Sequence, residues 1–169
     1  NMDLSRLKNI SSPYVLILVG PPLSGKTYFV KEFSSKIDNN VTVISRDDIL
    51  MSLSKTNNYT DAFNTVNQKE VDFLLDQQLR DANSNKKNTI VDMTHMGSKR
   101  RRTTLNYFSD DYYKVCVIFP FLTDEEYEKR NRKRVSEENK NISMSIIKNM
   151  ISRYQPIQED EGFDRVVSI

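Results

Sequence analysis

The sequence predicts an α/β protein, a parallel sheet of four or five strands with helices on both faces. Three observations predict it. Short continuous apolar runs, residues 14–19 the clearest, read as strands buried on both faces. Segments with helical periodicity alternate with these runs along the chain. A length of 169 residues, with 37% hydrophobic and 28% charged residues, suits one domain around one core, spanning residues 1–169.

The elements follow in order. The apolar run 14–19 ends at Gly20. Beyond it, Phe29, Val30, Phe33 and Ile37 recur at helical spacing, and Asn39 and Asn40 close the helix. Residues 41–44 read as a second strand and 49–53 as a short helix that Asp47 or Asp48 can cap. From 61 to 82, Phe63, Val66, Phe73, Leu74, Leu75 and Leu79 share one helical period, which predicts a single long helix. A polar turn at 83–88 leads to a third strand, 89–91, ending at Asp92. Ser98 reads as the cap of a helix through Leu105 to Phe108, and 112–119 as a fourth strand stopped by Pro120. Thr123 caps a highly charged helix, with Glu126 at the capping-box position. Residues 143–154 form a last helix with Ile147, Met150, Ile151 and Tyr154 inward, and Val166 and Val167 belong to a fifth strand.

Composition narrows the setting. The only cysteine, Cys116, cannot form a disulfide within the chain and sits in an apolar run, so it reads as a small buried hydrophobe. No run approaches the roughly 18 apolar residues of a membrane span, and no signal-peptide core is present. A reducing compartment is expected: the cytoplasm, or the host cytoplasm if the protein is viral. The net charge of +2 is uninformative, but Lys99, Arg100, Arg101 and Arg102, and the run from Lys129 to Arg134, are dense basic clusters. Such clusters either meet phosphate or are solvated helix faces.

In a parallel sheet of this kind ligands bind at the C-terminal ends of the strands, here after residues 19, 44, 91 and 119. The first end carries the strongest signal. Gly20, Pro21, Pro22, Leu23, Ser24, Gly25, Lys26 and Thr27 satisfy G-x-x-x-x-G-K-[ST]. Such a loop turns backbone N–H groups around phosphate oxygens. Lys26 then reaches the β- and γ-phosphates and the Thr27 hydroxyl ligates magnesium. The pattern follows a buried strand and opens an amphipathic helix, the context that gives it meaning. It implies ATP or GTP with Mg2+, held by residues 20–27 and the adjoining Tyr28.

The second end carries Arg46, Asp47 and Asp48. A carboxylate there can take a proton from an attacking hydroxyl, or it can simply cap a helix. Asp47 is read as the chemical one and Asp48 as structural. The third end carries Asp92, able to hold a magnesium-bound water or orient an acceptor, or to be a plain turn residue. His95, the only histidine, reads as a packing or surface residue. In the charged helix, Arg130 and Arg134 are four residues apart and share a face. A helix with so little apolar surface suits a mobile lid, about residues 123–141, and a lid arginine can stabilise transferring phosphate.

In this order the motifs resemble the kinase domain of phage-type polynucleotide 5′-kinase/3′-phosphatase, across nearly the whole chain. The resemblance rests on Gly20–Thr27, on Arg46, Asp47 and Asp48, on Asp92, and on the run from Lys129 to Arg134. It implies a three-layer P-loop kinase fold with a helical lid. Lys26 and Thr27 would serve ATP and magnesium, Asp47 would be the general base on a nucleic-acid 5′-hydroxyl, and Arg134 would be the phosphate-binding lid arginine, with Arg130 beside it. It also puts the stretch 161–164 near the nucleotide base. Two departures stand out. The phage enzyme has an acceptor-phosphate arginine three residues after the aspartate, where this chain has Leu50. Arg46, or Lys99, Arg100 or Arg101 in the following basic segment, would have to replace it. The phosphatase motif Asp-x-Asp-Gly-Thr does not occur here, as in a kinase-only protein or an excised kinase domain.

Three functions fit these residues. The leading one is an ATP-dependent 5′-hydroxyl polynucleotide kinase in RNA or DNA repair. The second is a kinase for a sugar, nucleoside, antibiotic or nucleotide-sugar. The third is a nucleotide-binding module without turnover.

Overall fold

The computed structural model describes residues 2–138 and 140–169; Asn1, and Asn139 within the expected lid span 123–141, lie outside the described residues. Strands β1 (Tyr14–Val19), β2 (Thr42–Ser45), β3 (Thr89–Asp92), β4 (Tyr113–Ile118) and β5 (Arg165–Ser168) form one sheet in the order β2-β3-β1-β4-β5. All four pairings are parallel. The helices are α1 (Lys26–Lys36), α2 (Arg46–Leu53), α3 (Tyr59–Thr65), α4 (Gln68–Ser84), α5 (Ser98–Leu105), α6 (Asp124–Glu138) and α7 (Met144–Ser152).

The central strand explains the three layers. All six residues of β1 are buried, and they alternate between two cores. Val15, Ile17 and Val19 meet Leu50 of α2, Ala62 of α3, Val71, Leu75 and Leu79 of α4 and Leu105 of α5. Leu16 and Leu18 meet Phe29 and Phe33 of α1, with Phe119. Each large apolar side chain buried this way contributes about 1.5–3 kcal/mol, so the continuous apolar run is what places helices on both faces. Cys116 of β4 is fully buried in the first core, and burial pushes its thiol up to about 12. It is a packing residue.

Register sets the site. Ile44 and Ile17 both pair with Val91, and Val19 pairs with Ile118, so the C-terminal ends of β2, β3, β1 and β4 are close to level. The Gly20 N–H donates to the Thr94 carbonyl and the Phe119 N–H to Val19, stitching the loops beyond those ends.

The structure corrects several local expectations. The helix over 61–82 is two helices. Asn58 caps α3 by accepting from the Asp61 N–H, and Asn67 caps α4 by accepting from the Lys69 N–H, so the chain breaks between them. Phe63 and Phe73 face solvent, at 54% and 57% exposure, although they fit the helical period of the buried residues. Neither Asp47 nor Asp48 caps α2. The Ser45 hydroxyl does, accepting from the Asp48 N–H, and both aspartates sit in the first turn, where the helix dipole favours them. Ser98 is the first residue of α5, not its cap; its N–H and hydroxyl both donate to Gln155 Oε1. Thr123 accepts from the Glu126 N–H, as expected, and Ser143, expected as the first residue of the last helix, is instead its cap, accepting from the Ile146 N–H.

Candidate active site

The loop between β1 and α1 is shaped by steric necessity. A Cβ on Gly20 would lie 2.7 Å from Ser24 Oγ and 3.0 Å from Phe119 Cβ, so only glycine fits. Gly25 caps α1 in the left-handed region at φ 103°. Leu23 is also left-handed, at φ 68°, where a side chain costs about 1–2 kcal/mol. The Ser24 hydroxyl donates to the Pro21 carbonyl at 2.7 Å.

Lys26 is buried, and its ammonium donates to the carbonyls of Gly20 at 2.7 Å and Pro21 at 2.8 Å. Burial lowers its pKa to about 8. Asp92 and Asp47 pull in the opposite direction, and Arg134 adds to the lowering. Residues from two neighbouring strand ends and the lid therefore act on one ammonium. Burial pushes the Asp92 carboxyl up, Lys26 pulls it back, Asp48 and Asp47 push it up again, and Lys140 lowers it.

Asp47 is exposed, with Oδ1 accepting from the Tyr59 hydroxyl at 3.0 Å. Burial, followed by the Asp47 charge and that hydrogen bond, raises the Tyr59 pKa, so the phenol stays protonated and keeps donating. Lys140 Nζ lies 5.6 Å from the centroid of the Tyr59 ring. Neither Tyr59 nor Lys140 is marked by a motif; the only sequence signal for Tyr59 is Asn58 as a helix cap before it.

In the lid helix α6, Tyr127 is the buried residue, and its hydroxyl accepts from the Leu122 N–H at 3.0 Å. Arg130 reaches back to the loop, donating to the Leu23 carbonyl at 2.8 Å. Arg134 lies 3.6 Å from Glu138 and is partly buried. Ser24, Gly25, Tyr28, Pro120, Leu122 and Arg130, with Met2, Asp3 and Ile169, line an open cleft of about 430 Å³ beside the loop. The stretch 161–164 does not line this cleft: Asp164 bonds Lys114 at the start of β4, the opposite end of the sheet.

The basic residues expected at an acceptor divide sharply. Arg101 is fully buried. It pairs with Glu161 through Nε at 2.6 Å and Nη2 at 3.0 Å, and donates to the carbonyls of His95, Met96 and Gln155. It is a structural tie and cannot reach an acceptor. Arg46 is held by Asp72 at 3.0 Å and Gln68 at 2.9 Å. Lys99 and Arg100 are exposed, and Arg100 borders a smaller groove of about 160 Å³ between α4 and α5. Leu50 is fully buried under α2, so the third position after Asp47 faces the core rather than the cleft. His95 is buried as well, bonded to the Leu18 carbonyl at 2.8 Å and the Thr104 hydroxyl at 3.0 Å, and burial lowers its pKa to about 4.

Among the described residues no group of three Asp, Glu, His or Cys side chains could hold a metal alone. Mg2+ needs no such group, since it keeps several waters and takes one or two protein oxygens beside nucleotide phosphates. The exposed Thr27 hydroxyl and the Asp92 carboxyl are the oxygens on offer.

A five-stranded parallel sheet in this order, with a glycine loop from its central strand and a charged helix over the loop, defines a P-loop kinase fold. The chain belongs to the AAA domain family (AAA_33), whose profile matches residues 15–157. No curated protein matches the sequence. Among solved structures, a chain of the Pnkp1/Rnl/Hen1 RNA repair complex superposes with TM-score 0.69 at 22% identity, covering 92% of this chain and 51% of that one. The chain thus spans about half the length of that relative. A Chaetomium thermophilum Kti12 in complex with ADP-AlF3 gives 0.61 at 15% identity, covering 92% and 88%. A gluconokinase from Sinorhizobium meliloti gives 0.59 at 9% identity, covering 95% and 83%. At these identities the likeness is one of fold.

Proposed function

We propose that the protein is an ATP-dependent polynucleotide 5′-hydroxyl kinase acting in RNA or DNA repair. The observation that carries the reading is the placement of Asp47 and Asp92 at the level C-terminal ends of β2 and β3, beside the loop from β1 that holds Lys26. A nucleotide binder needs the loop alone; a carboxylate at the acceptor side of the same lysine adds a base.

In this reading the loop 20–27 and Tyr28 hold the donor phosphates and the cleft beside them holds the nucleoside. Lys26 exchanges its two carbonyl partners for phosphate oxygens. Arg134, with Arg130, steadies the transferring group. Asp47 accepts the proton of the 5′-hydroxyl as its oxygen bonds the γ-phosphorus and the bond to the β–γ bridging oxygen breaks. The products are a 5′-phosphate, ADP and a protonated Asp47. Asp92 orients the acceptor or a metal-bound water. Magnesium bound through Thr27 would neutralise developing charge on the phosphates. Support for the nucleic-acid acceptor comes from the motif order and the fold shared with a chain of an RNA repair complex. A cytoplasmic setting, where Cys116 stays a thiol, accords with it.

The test is transfer of labelled γ-phosphate to a 5′-hydroxyl oligonucleotide against a panel of sugar and nucleoside acceptors, repeated as salt rises. A polynucleotide acceptor predicts oligonucleotide labelling that weakens steeply with salt. Labelling of a small acceptor alone, insensitive to salt, would favour the second reading, which the gluconokinase fold match and the buried Leu50 keep in play.

A further inference from the structure

Helix α3 carries two neighbouring aromatic rings, Tyr59, partly buried against the first core, and Phe63, which faces solvent. Only Ala62 of its residues is buried. Tyr59 and Phe63 are one turn apart, with ring centroids 6.4 Å apart and planes tilted by 34°, so they form a stepped surface. Phe63 is 54% exposed.

A lone exposed phenylalanine carries no message. This one is tied to the acceptor side of the site at both ends. The Tyr59 hydroxyl holds Asp47 at 3.0 Å. At the other end, Gln68 Nε2 donates to the Phe63 carbonyl at 3.2 Å, while Gln68 Oε1 accepts from Arg46 at 2.9 Å. Arg46 is in turn fixed by Asp72. The Tyr59 ring and the Phe63 main chain are therefore linked to Asp47 and, through Gln68, to Arg46, the residues that open α2. Lys140 adds positive charge beside the Tyr59 ring, its Nζ 5.6 Å from the centroid.

We propose that Tyr59 and Phe63 form a stacking platform for the unpaired bases at the 5′ end of a single-stranded nucleic acid, resting on the kinase reading above. Stacking on aromatic rings recognises any base by its face and is worth about 1–3 kcal/mol per base. The Lys140 ammonium beside the Tyr59 ring suits a phosphate-linked strand better than a neutral sugar. The platform supplies acceptor affinity without a base-specific contact. It also assigns Arg46 a positioning role, since its hydrogen bonds go to Gln68 and Asp72.

The test compares wild type, Phe63→Ala and Phe63→Tyr on a short 5′-hydroxyl single strand and on the same strand made abasic at its two 5′-terminal positions. Phe63→Ala should raise the KM for the normal strand on the order of ten-fold with kcat changed less than about two-fold. Phe63→Tyr should restore it. The abasic strand should show the raised KM with wild type, and Phe63→Ala should add nothing further. Exposed Phe63 is dispensable for folding, so thermal midpoints of the variants should match. An unchanged KM for the normal strand, or an equal rise for normal and abasic strands, overturns the platform while leaving the kinase reading intact. Wild type that phosphorylates small hydroxyl acceptors and no strand overturns both.

Discussion

Asp47 and Tyr59 are joined by a 3.0 Å hydrogen bond between a carboxylate in the first turn of α2 and a phenol that opens α3. The bond fixes which oxygen of Asp47 is occupied by the phenol. It also couples the candidate base to the candidate acceptor surface. Tyr59→Phe should therefore lower kcat for phosphate transfer by less than about ten-fold, since it removes one orienting bond and no proton acceptor. Steady-state kinetics on the strand acceptor check it; a loss as large as that of an Asp47 variant would make Tyr59 the base.

Arg101 and Glu161 form a buried ion pair, 0% and 7% exposed, that ties α5 to the segment before β5. Removing one member leaves the other charged and unpaired, so Glu161→Ala should cost about 3–5 kcal/mol by denaturant titration. Burial alone would raise the Glu161 carboxyl, but the Arg101 bonds and the Gln158 N–H hold it below its usual value. The sign follows: a carboxylate with a lowered folded pKa stabilises above its unfolded value of 4.5, and that stability is lost as pH falls below it.

His95 behaves in the same direction for a different reason. Burial lowers its pKa from 6.5 to about 4, so the unfolded chain binds the proton first. Stability should fall as pH drops from 6.5 to 4, and His95→Gln should lack that part of the acid dependence. At neutral pH the variant should cost about 1–3 kcal/mol through imperfectly satisfied partners. Urea midpoints at several pH values measure both effects.

Lys26 should leave a signature at alkaline pH. Its pKa of about 8 lies below the ordinary 10.5, so between those values the unfolded chain holds the proton more tightly. The stability of nucleotide-free wild type relative to Lys26→Met should therefore improve as pH rises from 8 to 10.5. A constant difference across that window would show that Lys26 is solvated.

Leu23 sits at φ 68°, and glycine would relieve about 1–2 kcal/mol of backbone strain against about 0.5–1 kcal/mol of added unfolded-state entropy. Leu23→Gly should be neutral to mildly stabilising, while Leu23→Val, stiffer at Cβ, should destabilise. Thermal melts give the order; a destabilised glycine variant would mean that the leucine side chain is packed.

The sheet and the phosphate loop were legible because each is written locally: a buried strand is a run of apolar residues, and G-x-x-x-x-G-K-[ST] is contiguous. What was not legible depends on partners far away in sequence. Arg101 sits among four consecutive basic residues and is the one that turns inward, because Glu161, sixty positions later, meets it. Phe63 and Phe73 fit the apolar period of a helix, yet Asn67 restarts the chain in a new direction and leaves both outside. Leu50 occupies the expected spacing after Asp47, but α2 begins at Arg46 and turns that position into the core. Tyr59 lies in a polar stretch marked only by Asn58 as a helix cap, until the fold brings it to Asp47.

The proton acceptor is the point on which catalysis turns. The most direct measurement is phosphate transfer from labelled ATP to a 5′-hydroxyl oligonucleotide by wild type and Asp47→Ala, with ATP affinity measured on both. The expected result is transfer by wild type, a loss of about 10²-fold or more in Asp47→Ala, and equal ATP binding. Wild type that binds ATP and labels no oligonucleotide, or an Asp47→Ala variant that transfers as well as wild type, would contradict it.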